Sequence, residues 1–212
     1  MTTTRDPLGD RALADAPRFG FGAGIGDPGP LGLAGFAGTT FFLSAVNTGI
    51  LPESVGGVVL GLALFYGGLA QLLAGMWEFV KGNTFGATAF ASFGAFWLSY
   101  WFLVNHTAAG LKASPGDINH ALGWYLLVWT IFTAYMTIAS SRVSLAVLAV
   151  FGFLTLTFLF LALGKFAGSG DGLTKLGGWL GFVTAVLAWY ASMAAVTNAT
   201  FKRIVFPVFP RV

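Results

Sequence analysis

The sequence predicts an all-α integral membrane protein with six transmembrane helices packed as one bundle in each protomer. Of its 212 residues, 56% are hydrophobic and only 9% are charged, whereas a soluble domain carries about 25% charged residues. The mean hydropathy is +0.79. Six charge-free apolar segments each approach the length of about 20 residues that a helix needs to cross a bilayer. These segments are Leu31–Leu51, Val55–Trp77, Thr84–Val104, Ala121–Ala139, Val143–Leu163 and Leu176–Val196.

The two ends of the chain are predicted to lie in the cytoplasm. Residues 1–26 are polar and glycine-rich without a continuous apolar run, so we expect a flexible N-terminal tail. Residues 27–200 form the six-helix domain and residues 201–212 a C-terminal tail. Eight Lys and Arg residues fall on the side of the termini and three on the other. By the positive-inside rule, this asymmetry predicts a multi-pass protein of the cell membrane with both termini inside.

Glycine is abundant, with 30 residues, and small residues let membrane helices approach one another closely. Two pairs follow the GxxxG spacing, Gly57 with Gly61 and Gly177 with Gly181. Either pair could join helices inside one protomer or between protomers, and the sequence leaves both possibilities open.

The first helix carries a polar stripe. Phe36, Thr40, Ser44 and Asn47 fall within about 80° of one another on a helix of 100° per residue. The hydroxyls could simply bond back to their own helix. The amide of Asn47 needs a partner or water, because an unpaired amide in hydrocarbon is costly. The stripe therefore favours a face turned towards a polar pathway.

The second helix contains two groups that lipid tolerates poorly, Gln71 and Glu78. They are seven residues apart, so a helix places them on one face, roughly 10 Å apart along its axis. The amide of Gln71 could form a hydrogen bond to a neighbouring helix, or it could line a polar pathway. Glu78 fits an interfacial ion pair with Lys81 or a role in proton coupling. A carboxylate at a helix C-terminus is unfavourable for the helix dipole, so we expect compensation from Lys81, Asn83 or the amides before Phe85.

The third helix places Thr88 and Ser92 on one face, with Phe93 beside Ser92. In the fifth helix, Leu154 is set among threonines. A bulky apolar side chain among hydroxyls fits either a constriction or ordinary packing.

Enzymatic functions find no support in the sequence. There is no cysteine, and no nucleophile, metalloprotease or phosphate-loop motif is present. His106 and His120 lie in one outer loop without a cluster of further ligands. We therefore expect no enzyme activity, no metal and no cofactor. The net charge of +3 reports membrane orientation and not a nucleic-acid partner.

Residues 27–33, Asp-Pro-Gly-Pro-Leu-Gly-Leu, resemble the Asn-Pro-Ala-Pro-Leu-Gly-Leu signature of the acetate uptake transporter family. That family includes the bacterial succinate–acetate permeases and the fungal ammonia/acetate export proteins. Similar blocks follow in order at residues 35–36, 65–71, 74–78, 82–86 and 96–98. The resemblance extends from residue 27 to about residue 206 and agrees with the count of six helices.

The resemblance implies a homo-hexamer in the lipid bilayer, with a pore in each protomer for acetate and other short carboxylates, including succinate. Passage would be proton-coupled or channel-like. The family's apolar constriction would fall on Phe36, Phe93 and Leu154. The resemblance and the polar stripe together predict a substrate pathway. They also predict a separate pair of residues with a structural role or a role in proton coupling. The pathway residues are Thr40, Asn47, Gln71, Thr88 and Ser92, and the pair is Glu78 and Asn83.

Three departures from the family pattern bear on substrate preference. The leading Asn of the signature is Asp27, the family's constriction Tyr is Phe93, and a bacterial Asn-Leu-His-Asn motif is reduced to Asn47 at residues 44–47. Two alternatives stay open: a channel for small neutral solutes such as urea or short amides, and a membrane scaffold or sensor that transports nothing.

Overall fold

Six long helices account for most of the protein in the computed structural model, which describes residues 24–168 and 171–211, without the side chain of Ala109. We number the helices α1 to α6. Each is long and apolar enough to cross a membrane, which confirms the predicted all-α fold. Their bounds are Gly29–Asn47, Glu53–Val80, Thr84–Thr107, Pro115–Ser140, Leu145–Phe166 and Asp171–Phe201. Most of the predicted N-terminal tail, residues 1–23, lies outside the described residues.

Side-chain caps fix where α3, α4 and α5 begin, and Asn83 caps α3 by accepting from the amide of Gly86 at 3.1 Å. Ser114 accepts a hydrogen bond from the amide of Asp117 at 3.1 Å, with Pro115 at the first position of α4. Ser144 caps α5 in the same way, by accepting from the amide of Val147 at 3.1 Å. Such caps satisfy amides that have no partner within the helix. The predicted start of the fourth helix at Ala121 was therefore too late, although the Ser-Pro-Gly-Asp sequence carried the signal.

The sequence predicts a regular α-helix for the second segment, but the structure shows two irregular turns in it. It begins with a 3-10 turn at Glu53–Val58, and a π-helical turn at Phe65–Ala70 directly precedes Gln71. A Cβ on Gly67 would lie 2.5 Å from Thr39 Oγ1 and 2.8 Å from Trp97 Cδ1. The π turn is therefore where α1 and α3 approach the backbone of α2, and only glycine fits there.

The helices form a ring in which each packs against its neighbours. Going around the ring, α1 packs against α2, α2 against α3, α4 against α5, α5 against α6, and α6 against α1, while α3 and α4 touch least. An aromatic core occupies the inside of the ring, centred on Phe93, Phe96 and Phe158. The ring thus surrounds a central axis instead of forming a layered bundle.

The two GxxxG pairs have different surroundings. A Cβ on Gly177 would lie 2.9 Å from Leu161 Cγ, and one on Gly181 would collide with Ser44 Oγ. That pair packs α6 against α5 and α1 within the protomer. A Cβ on Gly57 or Gly61 would lie within 4 Å of no atom of the described residues, so this pair lies on the outer face of α2.

The bundle has two ends, which we call the terminal end, next to residue 24 and residue 211, and the far end. At the terminal end, the C-terminal segment after Phe201 folds back across α5 and α6. The amide of Leu145 donates to the carbonyl of Phe209 at 3.0 Å, and the amide of Arg211 donates to the carbonyl of Val143 at 3.1 Å. The segment therefore supplies an acceptor to the free first turn of α5.

Candidate functional site

Three cavities follow one another inside the ring. The outer cavity, at the far end, has a volume of about 370 Å³, the middle one about 60 Å³ and the inner one about 20 Å³. Adjacent cavities share wall residues: Asn47 and Tyr100 line both the outer and the middle cavity, and Phe36 and Leu154 line both the middle and the inner one. The cavities therefore form a row along the axis of the ring.

The polar stripe of α1 lines this row. Phe36, Thr40, Ser44 and Asn47 all line the middle cavity, which Thr157 of α5 faces from the other side. Thr157 donates to the carbonyl of Phe153 at 2.9 Å, so its hydroxyl proton is already used within its own helix.

Two polar atoms of the middle cavity have no hydrogen-bond partner among the described residues. They are Thr40 Oγ1 and Trp97 Nε1, on side chains that are 6% and 2% exposed. A buried hydroxyl or indole N–H without a partner carries a free-energy cost. Both groups can donate a hydrogen bond, and both side chains belong to the wall of the middle cavity.

The three residues of the expected constriction lie together at the inner end of the row. Phe36, Phe93 and Leu154 all line the inner cavity, and the ring centroids of Phe36 and Phe93 are 5.6 Å apart. Each of the three side chains is at most 4% exposed. A water molecule needs about 10–15 Å³ of such space, so the inner cavity has room for little more than one water. The row is therefore narrowest at this point.

Gln71 lies in the wall of the same inner cavity. Its side chain is 1% exposed, and its Oε1 atom has no hydrogen-bond partner among the described residues. The π turn that ends at Ala70 sets the rotation of the helix at this position. An unpartnered amide oxygen can accept a hydrogen bond from a water or from a carboxylic acid.

Thr88 and Ser92 are not part of the walls of these three cavities. The face of α3 that lines them carries Phe93, Trp97 and Tyr100 instead, at the spacing i, i+4 and i+7. The lining face is rotated about the helix axis by one residue, about 100°, from the face of Thr88 and Ser92 that the sequence predicts. Trp97 was missed because a tryptophan in a membrane helix suggested packing or an interface. Its position one turn after Phe93 was the available signal.

Glu78 lies outside the row, at the terminal end, and is 1% exposed. Asn83 Nδ2 donates to Glu78 Oε2 at 2.9 Å. A Cβ on Gly29 would lie 3.4 Å from Oε1, and one on Gly86 would lie 2.9 Å from the carboxyl carbon. The carboxylate therefore sits between the first turns of α1 and α3, whose helix dipoles favour a negative charge.

The possible ion pair between Glu78 and Lys81 is absent from the described structure, because Lys81 Nζ bonds to Asp27 Oδ1 at 2.9 Å. Asp27 also accepts from the amide of Gly29, the first residue of α1, at 3.1 Å. The negative charge that replaces the family's Asn is thus neutralised at the surface. Of the candidates for compensating Glu78, Asn83 makes the direct contact.

No group of three or more His, Asp or Glu residues that could hold a metal ion occurs in the part of the chain that the structure describes. The polar groups in the walls of the middle and inner cavities are hydroxyls, amides and an indole, which can exchange hydrogen bonds with a small solute but offer no nucleophile–base pair. A ring of six membrane helices around such a row is the architecture of a channel or transporter.

Comparison with known proteins gives the family. The profile of the GPR1/FUN34/yaaH family matches residues 21–211, so this chain belongs to that family, and the resemblance stated from the sequence is confirmed. Proteins of this family and its structural neighbour are transporters and channels, not enzymes.

Two curated relatives and one solved structure illustrate the similarity. The chain is 42% identical over 192 residues to ammonia transport outward protein 2 of Saccharomyces cerevisiae, covering 88% of this chain and 65% of that protein. It is 38% identical over 184 residues to the succinate-acetate/proton symporter SatP of Escherichia coli strain K12, covering 87% and 95%. The structure of the bacterial acetate channel SatP superposes with a TM-score of 0.80 at 38% identity, covering 87% of this chain and 99% of that one. The chain thus spans about two thirds of the yeast relative's length and nearly all of the bacterial one.

Proposed function

We propose that this protein moves acetate and other short monocarboxylates across the cell membrane, through the row of cavities in each protomer. The observation that carries the proposal is the middle cavity, where Thr40 and Trp97 present buried donors without partners in the described structure. The similarity to a symporter and a channel that are both named for acetate supports the same substrate class.

The chemistry of the row suits weak and reversible binding. Among the described residues, no Lys or Arg lines the middle or the inner cavity, so a carboxylate finds neutral donors there but no cation to hold it. The Thr40 hydroxyl and the Trp97 N–H replace part of its hydration shell. A neutral donor releases an anion more readily than a charge-assisted contact does.

The constriction decides the form in which the substrate passes. Phe36, Phe93 and Leu154 offer only apolar surface, and an ion in such surroundings costs far more than a neutral molecule. We propose that the substrate crosses as the protonated acid, with Gln71 Oε1 accepting the acid proton in a hydrogen bond on the inner side. Uptake should then rise as external pH falls, because the fraction of protonated acid rises.

Orientation and assembly are part of the proposal. Arg142, Lys202, Arg203 and Arg211 all lie at the terminal end and are exposed, which supports a cytoplasmic position for both termini. We propose a homo-hexamer in which the outer face of α2, with Gly57 and Gly61, contacts a neighbouring protomer. No described residue of the protomer lies within 4 Å of a Cβ added to either glycine.

The decisive experiment is labelled acetate uptake into proteoliposomes, with and without an imposed inward proton gradient, and with labelled urea in parallel. We expect acetate uptake above that of protein-free liposomes and stimulation by the gradient. The absence of cations from the two deeper cavities also fits a channel for small neutral solutes. Urea uptake without acetate uptake would favour that function and reject ours.

A further inference from the structure

We propose that the outer cavity binds monocarboxylates whose apolar tail has about six to ten carbons, and that these acids block the pathway because they cannot pass the constriction. The volume of about 370 Å³ falls within the range of about 300–1,000 Å³ typical of small-molecule sites. The middle cavity measures only about 60 Å³. A two-carbon acid would leave most of the outer cavity to water.

The walls of the outer cavity are mainly aliphatic. Of its 17 lining residues, 11 are Leu, Ile, Val or Ala. They come from α1, from the irregular end of α3, from α4 and from α5, so they surround the space on several sides. Each methylene group moved from water to such a surface contributes about 0.8 kcal/mol. The wall therefore favours an alkyl tail over water.

Lys165 supplies the partner for the carboxylate. It lines the outer cavity, it is half-buried in the last turn of α5, and it makes no ion pair with any described residue. Glu53 also lines the cavity, but it is exposed at the start of α2 and keeps its contact with water. Asn47 marks the passage to the middle cavity. A bound acid thus places its charge at Lys165 and its tail among the aliphatic residues, across the route to Asn47.

Chain-length dependence gives the first test. We would measure binding of labelled octanoate to the full-length protein in nanodiscs, subtract binding to empty nanodiscs, and compete it with unlabelled acids from acetate to decanoate and with octanol. Affinity should rise by up to about fourfold per added methylene and level off once the cavity is full. Octanol should compete at least about tenfold more weakly than octanoate, since it lacks the charge-assisted contact. Equal competition by acetate, octanoate and octanol would overturn the proposal.

Matched variants give the second test. Lys165→Met keeps the aliphatic stem and should weaken octanoate binding about tenfold or more. Lys175→Met is the control, because Lys175 is exposed at the same end but does not line the cavity. Ala121→Phe places a ring in the wall of the outer cavity and should abolish octanoate binding. Val128→Phe adds the same ring on the outer face of α4, where Val128 is 62% exposed, and should leave binding unchanged. Equal effects within either pair would contradict the site.

The blocking part of this inference rests on the proposed acetate pathway, and the binding part does not. Octanoate binding that depends on Lys165, in a protein that takes up no acetate, would support the site and reject the proposed function. If the protein takes up acetate, but octanoate neither binds to it nor inhibits that uptake, the result would support the function and reject the site. Inhibition of acetate uptake by octanoate, lost in Lys165→Met and kept in Lys175→Met, would support both.

Discussion

Asn83 holds the carboxylate of Glu78 and caps α3 with the same side chain. Its Nδ2 atom donates to Glu78 Oε2 at 2.9 Å, while its Oδ1 atom accepts from the amide of Gly86 at 3.1 Å. One amide therefore joins the end of α2, the start of α3 and a carboxylate that is 1% exposed.

Asn83→Ala should destabilise the protein by about 2 kcal/mol. The loss of an N-cap costs about 1 kcal/mol, and the loss of a hydrogen bond to a buried charge adds at least as much. Thermal unfolding in detergent, followed by fluorescence, measures the change. Lys81→Met is the control, because its ion pair with Asp27 is exposed and such pairs contribute about 0–1 kcal/mol. A larger loss in Lys81→Met than in Asn83→Ala would reverse this ranking.

Glu78→Gln separates an architectural role from a role in proton coupling. Glutamine keeps an oxygen that can accept from Asn83 but removes the charge that faces the first turns of α1 and α3. We expect a lower yield of assembled protein and acetate uptake per assembled molecule with an unchanged pH dependence. Size-exclusion chromatography and proteoliposome uptake measure the two quantities. Normal assembly with uptake that no longer responds to pH would assign Glu78 to coupling.

The fold could be predicted from composition because the bilayer imposes it. A chain with six charge-free apolar segments has no other way to satisfy its backbone in lipid than as helices. The π turn at Phe65–Ala70 could not be predicted, since it depends on the approach of Thr39 and Trp97 to Gly67. Those contacts join three helices, and no periodicity within one segment reports them.

The candidate site was only partly accessible from the sequence. The stripe of α1 could be read from helical spacing, because its polar residues are separated by three and four positions. The lining face of α3 could not, since Phe93, Trp97 and Tyr100 are apolar or aromatic and resemble packing residues. The hydroxyls of Thr88 and Ser92 drew attention to the neighbouring face. Which face of α3 turns inward is set by its packing against α2, not by its own polarity.

Leu154→Ala should widen the constriction and admit larger acids such as lactate or succinate. The substitution removes a side chain that separates the middle and inner cavities. It should also cost about 2–5 kcal/mol of stability, so a control with the same cost is needed. Met136→Ala provides it, because Met136 is 4% exposed in the same core but lines none of the three cavities. Competition of labelled acetate uptake by each acid measures selectivity. An identical profile for the two variants would remove Leu154 from the constriction.

Gly61→Trp should lower the oligomeric state without unfolding the protomer. The space beside Gly61 is empty within the described protomer, so an indole there meets only lipid or a neighbouring protomer. Gly152→Trp is the matched control on α5, where a Cβ also meets no atom within 4 Å. Native mass spectrometry or light scattering in detergent reports the assembly. Equal oligomer populations in the two variants would show that the outer face of α2 is not an interface.

Thr40→Val and Thr39→Val should have opposite consequences, although the residues are adjacent on α1. Thr40 lines the middle cavity, and its Oγ1 atom has no hydrogen-bond partner in the described structure, so valine should leave stability unchanged or slightly raised. Acetate uptake should fall about threefold to tenfold, as expected for one lost hydrogen bond of about 0.5–1.5 kcal/mol.

Thr39 donates to the carbonyl of Gly35 at 2.9 Å, is 0% exposed and lines none of the cavities. Thr39→Val should therefore lower stability by about 1 kcal/mol and leave uptake per folded molecule unchanged. Uptake normalised to folded protein, together with thermal unfolding, separates the two effects. If Thr40→Val lost stability and kept its uptake, the Thr40 hydroxyl would be a packing group, and the donors to the carboxylate would have to be sought elsewhere in the middle cavity.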